Sequence, residues 1–314
     1  REGDLFSIGG IMSNGKMWSG SVSYTTPFWR QGERFGISYA RSFYSLGGTF
    51  SSMDFVGSSQ SIGFNWQHNF RRSRDLNLYG SVRLDFKSMG SEARQMAFRD
   101  PKHARNWVFG INGDNLDRLL TGGRNTFSLS YTRGRLSIDE PSQRLSDAMT
   151  ARTAGHFGKW NLDLSRLQHI DERLSLYLSY SRQWAEKNLD SSEKFSLGGP
   201  SGVRAYPVSE ASGDDGWKWT AELRWNVPTR EGDTNVWQMI VFVDGGHVSI
   251  YHEGYPGYTG PDSRSLYGAG LGVNWSNDDN WVARVNYAWK LGHEPAVSDS
   301  DRSGRFWFQI YKFF

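Results

Sequence analysis

Two absences narrow the class of protein to which this sequence can belong. Its 314 residues include no cysteine, so neither a disulfide framework nor cysteine-ligated zinc is possible. The longest apolar stretch is close to MIVFV at 239–243, far short of the roughly 20 apolar residues that a membrane-spanning helix needs. Helical membrane proteins are therefore excluded.

The sequence also lacks an excess of charge of one sign. It has 36 Lys and Arg against 33 Asp and Glu, a net charge of +3, and the basic residues are scattered along the chain. A nucleic-acid partner is therefore not expected. No basic region followed by an apolar core stands at Arg1, so we expect any export signal to lie outside this sequence.

Aromatic residues and glycine are abundant, and the dominant hydropathy period is two. The chain has 14 Trp, 14 Tyr, 19 Phe and 36 Gly, although its mean hydropathy is -0.61. The stretch LNLYGSVRLDF at 76–86 has one apolar face, formed by Leu76, Leu78, Val82, Leu84 and Phe86. Its other face is polar and carries Asn77, Tyr79, Ser81, Arg83 and Asp85. This alternation predicts β-strands with one apolar and one polar face.

Three further features favour a membrane barrel over a soluble β-sandwich. The alternating segments run to about ten residues, the length of a tilted transmembrane strand, whereas soluble strands are shorter. Aromatic residues recur near segment ends, as expected at membrane interfaces. The polar faces carry full charges, which a wide barrel can hold in a wet lumen. The predicted fold is an all-β, antiparallel barrel of the bacterial outer membrane.

The connections predict the orientation of about fourteen strands. We place the strands near 4–12, 18–28, 34–44, 58–70, 75–88, 103–113, 124–133, 154–168, 172–184, 216–227, 236–248, 265–276, 280–291 and 304–314. Long loops rich in Gly, Asp, Ser and Pro alternate with short turns. Because such barrels keep short turns in the periplasm, both termini are expected on that side. The terminal aromatic Phe314 is typical of the signal for outer-membrane assembly, although any final strand can end in an aromatic residue.

Three motifs in the second half of the chain resemble a known family. The stretch FSLGGPSGVRAY at 195–206 contains Val203, Arg204, Ala205 and Tyr206 and lies in the longest loop, 185–215. It resembles the signature of the transporters of two-partner secretion (the TpsB type), whose superfamily includes outer-membrane insertases. The segments AELRW at 221–225 and VFVDGG at 241–246 resemble that family's motifs in its strands twelve and thirteen.

The resemblance implies that the 185–215 loop folds back into the barrel. By alternation Glu222, Phe242, Asp244 and Gly246 point to the lumen, so the Arg204 guanidinium could bind carboxylates on the wall. We therefore expect Arg204 to act as a latch to Asp244 and Glu222. The inward-facing glycines of the next strand would clear space for the loop: Gly268, Gly270 and Gly272.

Two alternatives at the loop tip stay open at this point. A solvated loop arginine is the ordinary reading of a single Arg such as Arg204. Ala205 stands where the family has glycine, and its methyl group restricts left-handed backbone geometry, so the turn at the tip is not fixed by the motif.

The resemblance also implies that residues 1–314 are part of a longer protein. Family members carry an N-terminal helix, two periplasmic POTRA domains and a barrel of sixteen strands. GDLFSIGG at 3–10 aligns with the start of the third strand, so this chain would hold the third to the last strand and no POTRA domain. A closed barrel of fourteen strands is the alternative.

The function implied is a translocation pore for secretion. A large unfolded exoprotein, such as an adhesin, haemolysin or contact-dependent toxin, would cross the outer membrane through it without ATP. The expected partners are this exoprotein, outer-membrane lipid and lipopolysaccharide, and the barrel-assembly machinery. An insertase of the same superfamily and a passive porin are the alternatives.

We expect no enzymatic activity, cofactor or metal site. The histidines lack a serine or acidic partner at useful spacing, and His247 alternates to the face opposite Asp244. The acidic stretches GDD at 213–215 and GDNLD at 113–117 lack the oxygen spacing of a calcium loop and are interpreted as solvated turns.

Overall fold

Fourteen strands form a single antiparallel sheet in the computed structural model, which describes residues 3–13, 17–28, 32–45, 55–93, 98–230 and 232–313. The strands are β1 (Leu5–Ser13), β2 (Met17–Pro27), β3 (Glu33–Ser45), β4 (Phe55–Arg72), β5 (Leu76–Ala93), β6 (Phe98–Asp117), β7 (Gly123–Ile138), β8 (Gly155–His169), β9 (Leu174–Ala185), β12 (Asp215–Asn226), β13 (Val236–Ser249), β14 (Ser263–Ser276), β15 (Trp281–Lys290) and β16 (Gly304–Lys312). Two short strands, β10 (Phe195–Ser196) and β11 (Ser212–Gly213), pair separately inside the loop that joins β9 to β12.

Each strand of the large sheet pairs with its neighbour in the chain, and β9 pairs with β12 across the loop between them. The predicted strands and their antiparallel order are confirmed. Several strands are longer than the alternation predicts, because ladder hydrogen bonds continue where the apolar pattern has stopped. Thus β6 spans 20 residues, and the predicted turn at 113–117 is wrong because it lies within this strand.

The period of two separates an outer from an inner face, as β13 illustrates. Val241 and Val243 are 55% and 36% exposed, whereas the alternating Phe242 and Asp244 are 1% and 0% exposed. Large apolar side chains are likewise exposed on other strands, among them Phe109, Ile111, Leu164, Leu178, Leu223, Leu271 and Tyr287. An apolar outer face around a polar interior is the pattern of a barrel that faces lipid.

The buried apolar residues lie inside the sheet and come from two sources, the wall and the β9–β12 loop. The larger cluster joins loop residues to side chains of β13, β14 and β15, and includes Leu197, Val203, Ala205, Tyr206, Ala211, Ile240, Phe242, Val248, Leu266 and Ala288. The smaller cluster joins Leu189 of the loop to Ala104, Leu136, Ile138, Phe157 and Ala185. The loop therefore fills part of the space that the sheet surrounds.

The described residues contain one α-helix, α1 (Pro141–Met149), which lies in the connection between β7 and β8 and buries none of its residues. Asp147 closes its C-terminal end by accepting hydrogen bonds from the backbone N–H groups of Thr153 and Ala154. Within the described ranges, no helix has the length and apolar character needed to cross a membrane.

Candidate functional site

The loop between β9 and β12, residues 186–214 and hereafter the lumen loop, carries the predicted motif. It is one residue shorter at each end than the expected 185–215, because Ala185 and Asp215 belong to the flanking strands. We divide it into a first limb, residues 186–194, which contains a 3-10 turn (Ser191–Glu193), and a second limb, residues 195–214.

The second limb folds on itself into a compact hairpin. The N–H of Val203 donates to the carbonyl of Leu197 at 2.7 Å, and the N–H of Gly199 donates to the carbonyl of Tyr206 at 3.2 Å. Gly199 has φ +108, and a Cβ at Gly202 would lie 1.9 Å from the carbonyl oxygen of Leu197. The glycines of LGGPSG are therefore required by this close backbone approach.

Arg204, 5% exposed, contacts two carboxylates of the wall. Its Nε and Nη2 donate to the two oxygens of Asp244 on β13, at 2.9 and 2.8 Å. Its Nη1 donates to Oε1 of Glu222 on β12 at 2.7 Å, and its backbone N–H also donates to Asp244 at 3.1 Å. The guanidinium thus makes a two-pronged, charge-assisted contact with one carboxylate and a single contact with the other. We call this group of three residues the arginine latch.

Neighbouring side chains make further contacts with the residues of the arginine latch. Thr220 donates to Asp244 at 2.9 Å, and Arg224 binds the second oxygen of Glu222. The Arg204 guanidinium also lies 3.4 Å from the ring centroid of Phe242, a cation–π contact. Burial alone would lower the pKa of Arg204, but the hydrogen bonds and charges of the two carboxylates raise it. The arginine is therefore charged and paired with both carboxylates.

The residues on either side of Arg204 are buried with it. Val203, Ala205 and Tyr206 are all 0% exposed, and the Tyr206 hydroxyl donates to the carbonyl of Glu294 at 2.9 Å. Ala205 does not take a left-handed backbone conformation, so its methyl group is compatible with the turn. Trp307 of β16 donates its indole N–H to the carbonyl of Arg204 at 2.7 Å.

The inward glycines differ in what occupies the space beside them. A Cβ at Gly246 would lie 2.7 Å from Leu197, and one at Gly268 would lie 2.7 Å from the Cβ of Ala205, both in the lumen loop. At Gly270 and Gly272 the nearest side chains are Phe242 and Asn286 of the wall. Gly246 and Gly268 therefore make room for the loop, whereas Gly270 and Gly272 make room for neighbouring wall side chains.

The first limb is held on strands β5, β6 and β8 by Glu193, 3% exposed, which the sequence pattern did not single out. Its carboxylate accepts hydrogen bonds from Lys87 of β5 at 2.6 Å and Asn106 of β6 at 2.7 Å, and pairs with Lys159 of β8 at 2.9 Å. Burial would raise the pKa of Glu193, but Lys159 and Lys87 lower it to about 2. Nearby, Lys102 binds Asp190 at 2.9 Å.

Glu210, 0% exposed, ties the end of the second limb to the outer loop between β15 and β16. Its carboxylate accepts from the backbone N–H groups of Val297 and Ser298, at 3.1 and 2.9 Å, and pairs with Arg264 of β14. The lumen loop is therefore fixed to two groups of wall strands and to the loop between β15 and β16.

The GDD stretch is not the solvated turn that the sequence predicted. Asp214 is 0% exposed, because it accepts hydrogen bonds from the N–H groups of Leu189 and His252 and pairs with Lys194 at 2.8 Å. Burial raises the pKa of this carboxyl group. Across the described part of the chain, no group of three or more His, Cys, Asp or Glu residues is arranged to hold a metal ion.

Residues 4–275 match the family model described as haemolysin secretion/activation protein ShlB/FhaC/HecB. The chain belongs to this family. The match covers the strands β1 to β13, nearly all of β14 and the whole lumen loop, so it includes the arginine latch and the first-limb contacts of Glu193.

Curated relatives carry transporter names. The chain is 24% identical over 314 residues to the heme/hemopexin transporter protein HuxB of Haemophilus influenzae strain 86-028NP, covering 99% of this chain and 54% of that protein. It is 28% identical over 273 residues to the outer membrane transporter CdiB of Dickeya dadantii strain 3937, covering 85% of this chain and 46% of that protein. The chain thus spans about half the length of the relatives it matches.

Solved structures support the fold. CdiB from Escherichia coli superposes with a TM-score of 0.77 at 17% identity, covering 98% of this chain and 56% of that one. BamA from Haemophilus ducreyi superposes with a TM-score of 0.61 at 13% identity, covering 98% and 65%. At these identities the likeness is one of architecture, the outer-membrane barrel.

The structure brings most of the predicted site residues together in one part of the lumen: residues 203–206, Glu222, Phe242, Asp244 and Gly246. Phe314 lies outside the described residues. Sequence reasoning missed Glu193, Glu210 and Trp307. No periodic pattern marks the two glutamates, which are single acidic residues in an irregular loop. The alternation of period two assigns Trp307 to one of the two faces of the last strand, but it does not single this residue out.

Proposed function

We propose that this chain is the main part of an outer-membrane transporter that secretes a large unfolded exoprotein by two-partner secretion. Cargo passes through the barrel lumen, and folding outside the cell biases its movement without ATP. The lumen loop occludes the resting pore, and its displacement opens the path. The proposed role is transport, and catalysis is no part of it.

The observation that carries this proposal is the buried arginine latch. A passive porin needs no loop tied by a guanidinium to two wall carboxylates, whereas a gated pore needs a plug with a defined resting position. Breaking the contact is costly, because separating one partner of a buried, two-pronged charge pair leaves an uncompensated charge in the lumen wall. Membership of the secretion/activation family supports the same conclusion.

We propose further that the barrel is completed by two strands from another part of a longer protein, which also supplies POTRA domains that recognise the cargo. A cavity of about 1390 Å³ supports this, since it is lined by Gly9 and Ser21 near one sheet edge and by Trp307 and Gln309 on the other. The share of the relatives covered by this chain is consistent with a longer parent.

The apolar outer face leads us to propose the outer membrane of a Gram-negative bacterium as the location. Its lipid and lipopolysaccharide would contact exposed side chains such as Phe109, Ile111 and Leu271. The barrel-assembly machinery is the proposed partner during insertion, with Phe314 as part of the signal.

Secretion of the cognate exoprotein tests the proposal. Cells carrying the full-length parent would be compared with Arg204→Ala and Asp244→Ala variants at matched barrel levels in the outer membrane. Arg144→Ala is the matched control, because Arg144 is an exposed arginine of α1. We expect wild type and the control to release cargo into the medium and both latch variants to release much less.

The outcomes separate the alternatives. Normal export by the latch variants would leave a transporter whose arginine latch has no part in transport. No export by wild type, together with loss of other barrels from the membrane when the gene is deleted, would replace the proposal with an insertase. No export and a permanently open, charge-selective channel would replace it with a porin.

A further inference from the structure

The part of the wall formed by β5, β6 and β8 carries three lysines that face the first limb. Lys87 of β5, Lys102 of β6 and Lys159 of β8 are 24%, 22% and 12% exposed in their side chains. We call them the lysine patch. They lie on three strands of one wall, so the patch is fixed by the sheet and does not depend on the loop conformation.

The loop presents an acidic, locally extended segment to this patch. Asp190 and Lys194, on either side of the 3-10 turn, have extended backbone angles, φ -63 with ψ 153 and φ -70 with ψ 151. Asp190 binds Lys102, and Glu193 binds Lys87 and Lys159. Each lysine of the patch is thus paired with a carboxylate of the first limb.

The wall also binds the main chain of the first limb. Lys159 donates to the carbonyl oxygen of Glu193 at 2.7 Å, and Gln183 of β9 donates to the same oxygen at 3.1 Å. Any polypeptide has such a carbonyl at every residue, so these two donors do not depend on sequence. The carboxylate contacts, in contrast, select acidic side chains.

We propose that the lysine patch is a docking surface for acidic segments of an extended polypeptide in transit, and that Asp190 and Glu193 occupy it in the resting state as an internal mimic of that cargo. This inference rests on the proposed transport function and names the chemistry of the cargo segment that the wall fits. Displacing the first limb would leave Lys87 and Lys159, both partly desolvated, without their carboxylate partner, and would leave Lys102 with Asp100 of β6 alone. An incoming carboxylate would replace the lost partner.

The difference between lysine and arginine chemistry favours this assignment. Lysine is a flexible point charge that can exchange one carboxylate for another, whereas the two-pronged guanidinium contact of Arg204 demands a fixed geometry. Glu193 carries its charge at neutral pH, since its pKa is held at about 2 despite burial. The patch is therefore occupied by an ionised group and open to competition by another.

Binding of a short fluorescent oligoglutamate peptide to the full-length parent in detergent tests the proposal without any cargo. Glu193→Gln removes the internal competitor's charge and is expected to tighten binding about tenfold relative to wild type. The triple variant Glu193→Gln, Lys87→Gln, Lys159→Gln is expected to lose that gain. An oligoglutamine peptide of equal length is the matched probe and should bind neither variant. Heat-modifiable migration of each variant in gels checks that the barrel is folded.

Two results would overturn the proposal. One is equal binding of oligoglutamate by the single and the triple variant, which would locate the interaction elsewhere on the barrel. The other is no gain in affinity on Glu193→Gln in a folded barrel, which would mean that the lysines only support the loop. Because the readout needs no exoprotein, a failure of the secretion experiment and a failure here are distinguishable.

Discussion

The two limbs of the lumen loop are held by different chemistry. The second limb is fixed by a guanidinium, a hairpin of its own backbone and a large apolar cluster that contains Val203, Ala205 and Tyr206. The first limb is fixed by lysine ammonium groups on Glu193 and Asp190, and it contributes a single residue, Leu189, to a smaller apolar cluster.

This difference predicts which limb would leave its place more easily if the loop is displaced as proposed. Packing and a two-pronged hydrogen bond both demand one geometry, so the second limb leaves its place only if many contacts break together. The first limb is held by separate polar contacts, namely the ion pairs of Glu193 and Asp190 and the hydrogen bonds of Asn188 with the carbonyls of Ala151 and Glu253, which can break one at a time. We therefore expect the second limb to act as the fixed end of the plug and the first limb as the mobile end.

The largest expected effect comes from Arg204→Ala, which tests the fixed end. It leaves Asp244, 0% exposed, as a buried charge that has lost its cation, and such a loss costs about 3–5 kcal/mol. The free energy of unfolding in detergent measures this. The double variant with Asp244→Ala should lose much less than the sum of the single losses. Additive losses would show that the two side chains do not act as a unit.

A smaller effect is expected from Gly268→Ala, which tests the packing of the same limb. The new Cβ would lie 2.7 Å from the Cβ of Ala205, and overpacking of this kind costs about 1–3 kcal/mol. Adding Ala205→Gly should restore stability, because it removes the opposing methyl group. Gly90→Ala is the control, since a Cβ there meets no atom within 4 Å. Equal losses at both glycines would mean that the contact with the loop does not matter.

Trp307→Phe should destabilise the fixed end by less than the two changes above. It removes the indole donor to the carbonyl of Arg204, at a cost of about 0.5–1.5 kcal/mol. Hydrogen exchange of the backbone amides of Val203 and Tyr206 should become faster in this variant. Trp289→Phe, at a side chain that is 45% exposed on the outer face, is the matched control and should leave exchange in the loop unchanged.

The smallest effect is expected from mild acid, which tests the mobile end. The pKa of Glu193 is lowered from 4.5 to about 2, so its pairing with Lys87 and Lys159 contributes stability that is complete above pH 4.5 and is lost as the pH falls toward 2. The protection of first-limb amides, taken relative to the intrinsic exchange rate at each pH, should therefore be independent of this group between pH 7 and 5 and should fall below about pH 4. Glu193→Gln should reduce this acid-dependent loss of protection, and an unchanged acid response in that variant would contradict the assignment.

Many contacts of the fixed end could be predicted from sequence, because the wall residues that Arg204 meets lie in β-strands with a regular period. Alternation of period two places Glu222 and Asp244 on the inner face, and the motif around Arg204 identifies the loop that meets them. The ends of the strands were less predictable. Asp117, expected in a turn, pairs with Arg166 inside β6 and β8, because strand pairing continues beyond the apolar pattern.

The mobile end could not be predicted, since its contacts depend on the path of an irregular loop. Glu193 meets side chains 106 and 87 positions away in the chain, Lys87 and Asn106, and no local pattern encodes such a separation. Asp214 was missed for the same reason, because its burial depends on backbone donors from Leu189 and His252 that only the folded loop supplies.

The hydrogen bond from Trp307 also has a consequence for the order of assembly. Trp307 follows Arg204 by 103 positions and lies in β16, the last strand of the sheet. The network around the loop tip therefore joins parts that are far apart in the chain, and it cannot be complete until the final strand is in place. Full docking of the loop thus requires the last strand, and protection of the loop tip would report that the C-terminal end of the sheet has folded.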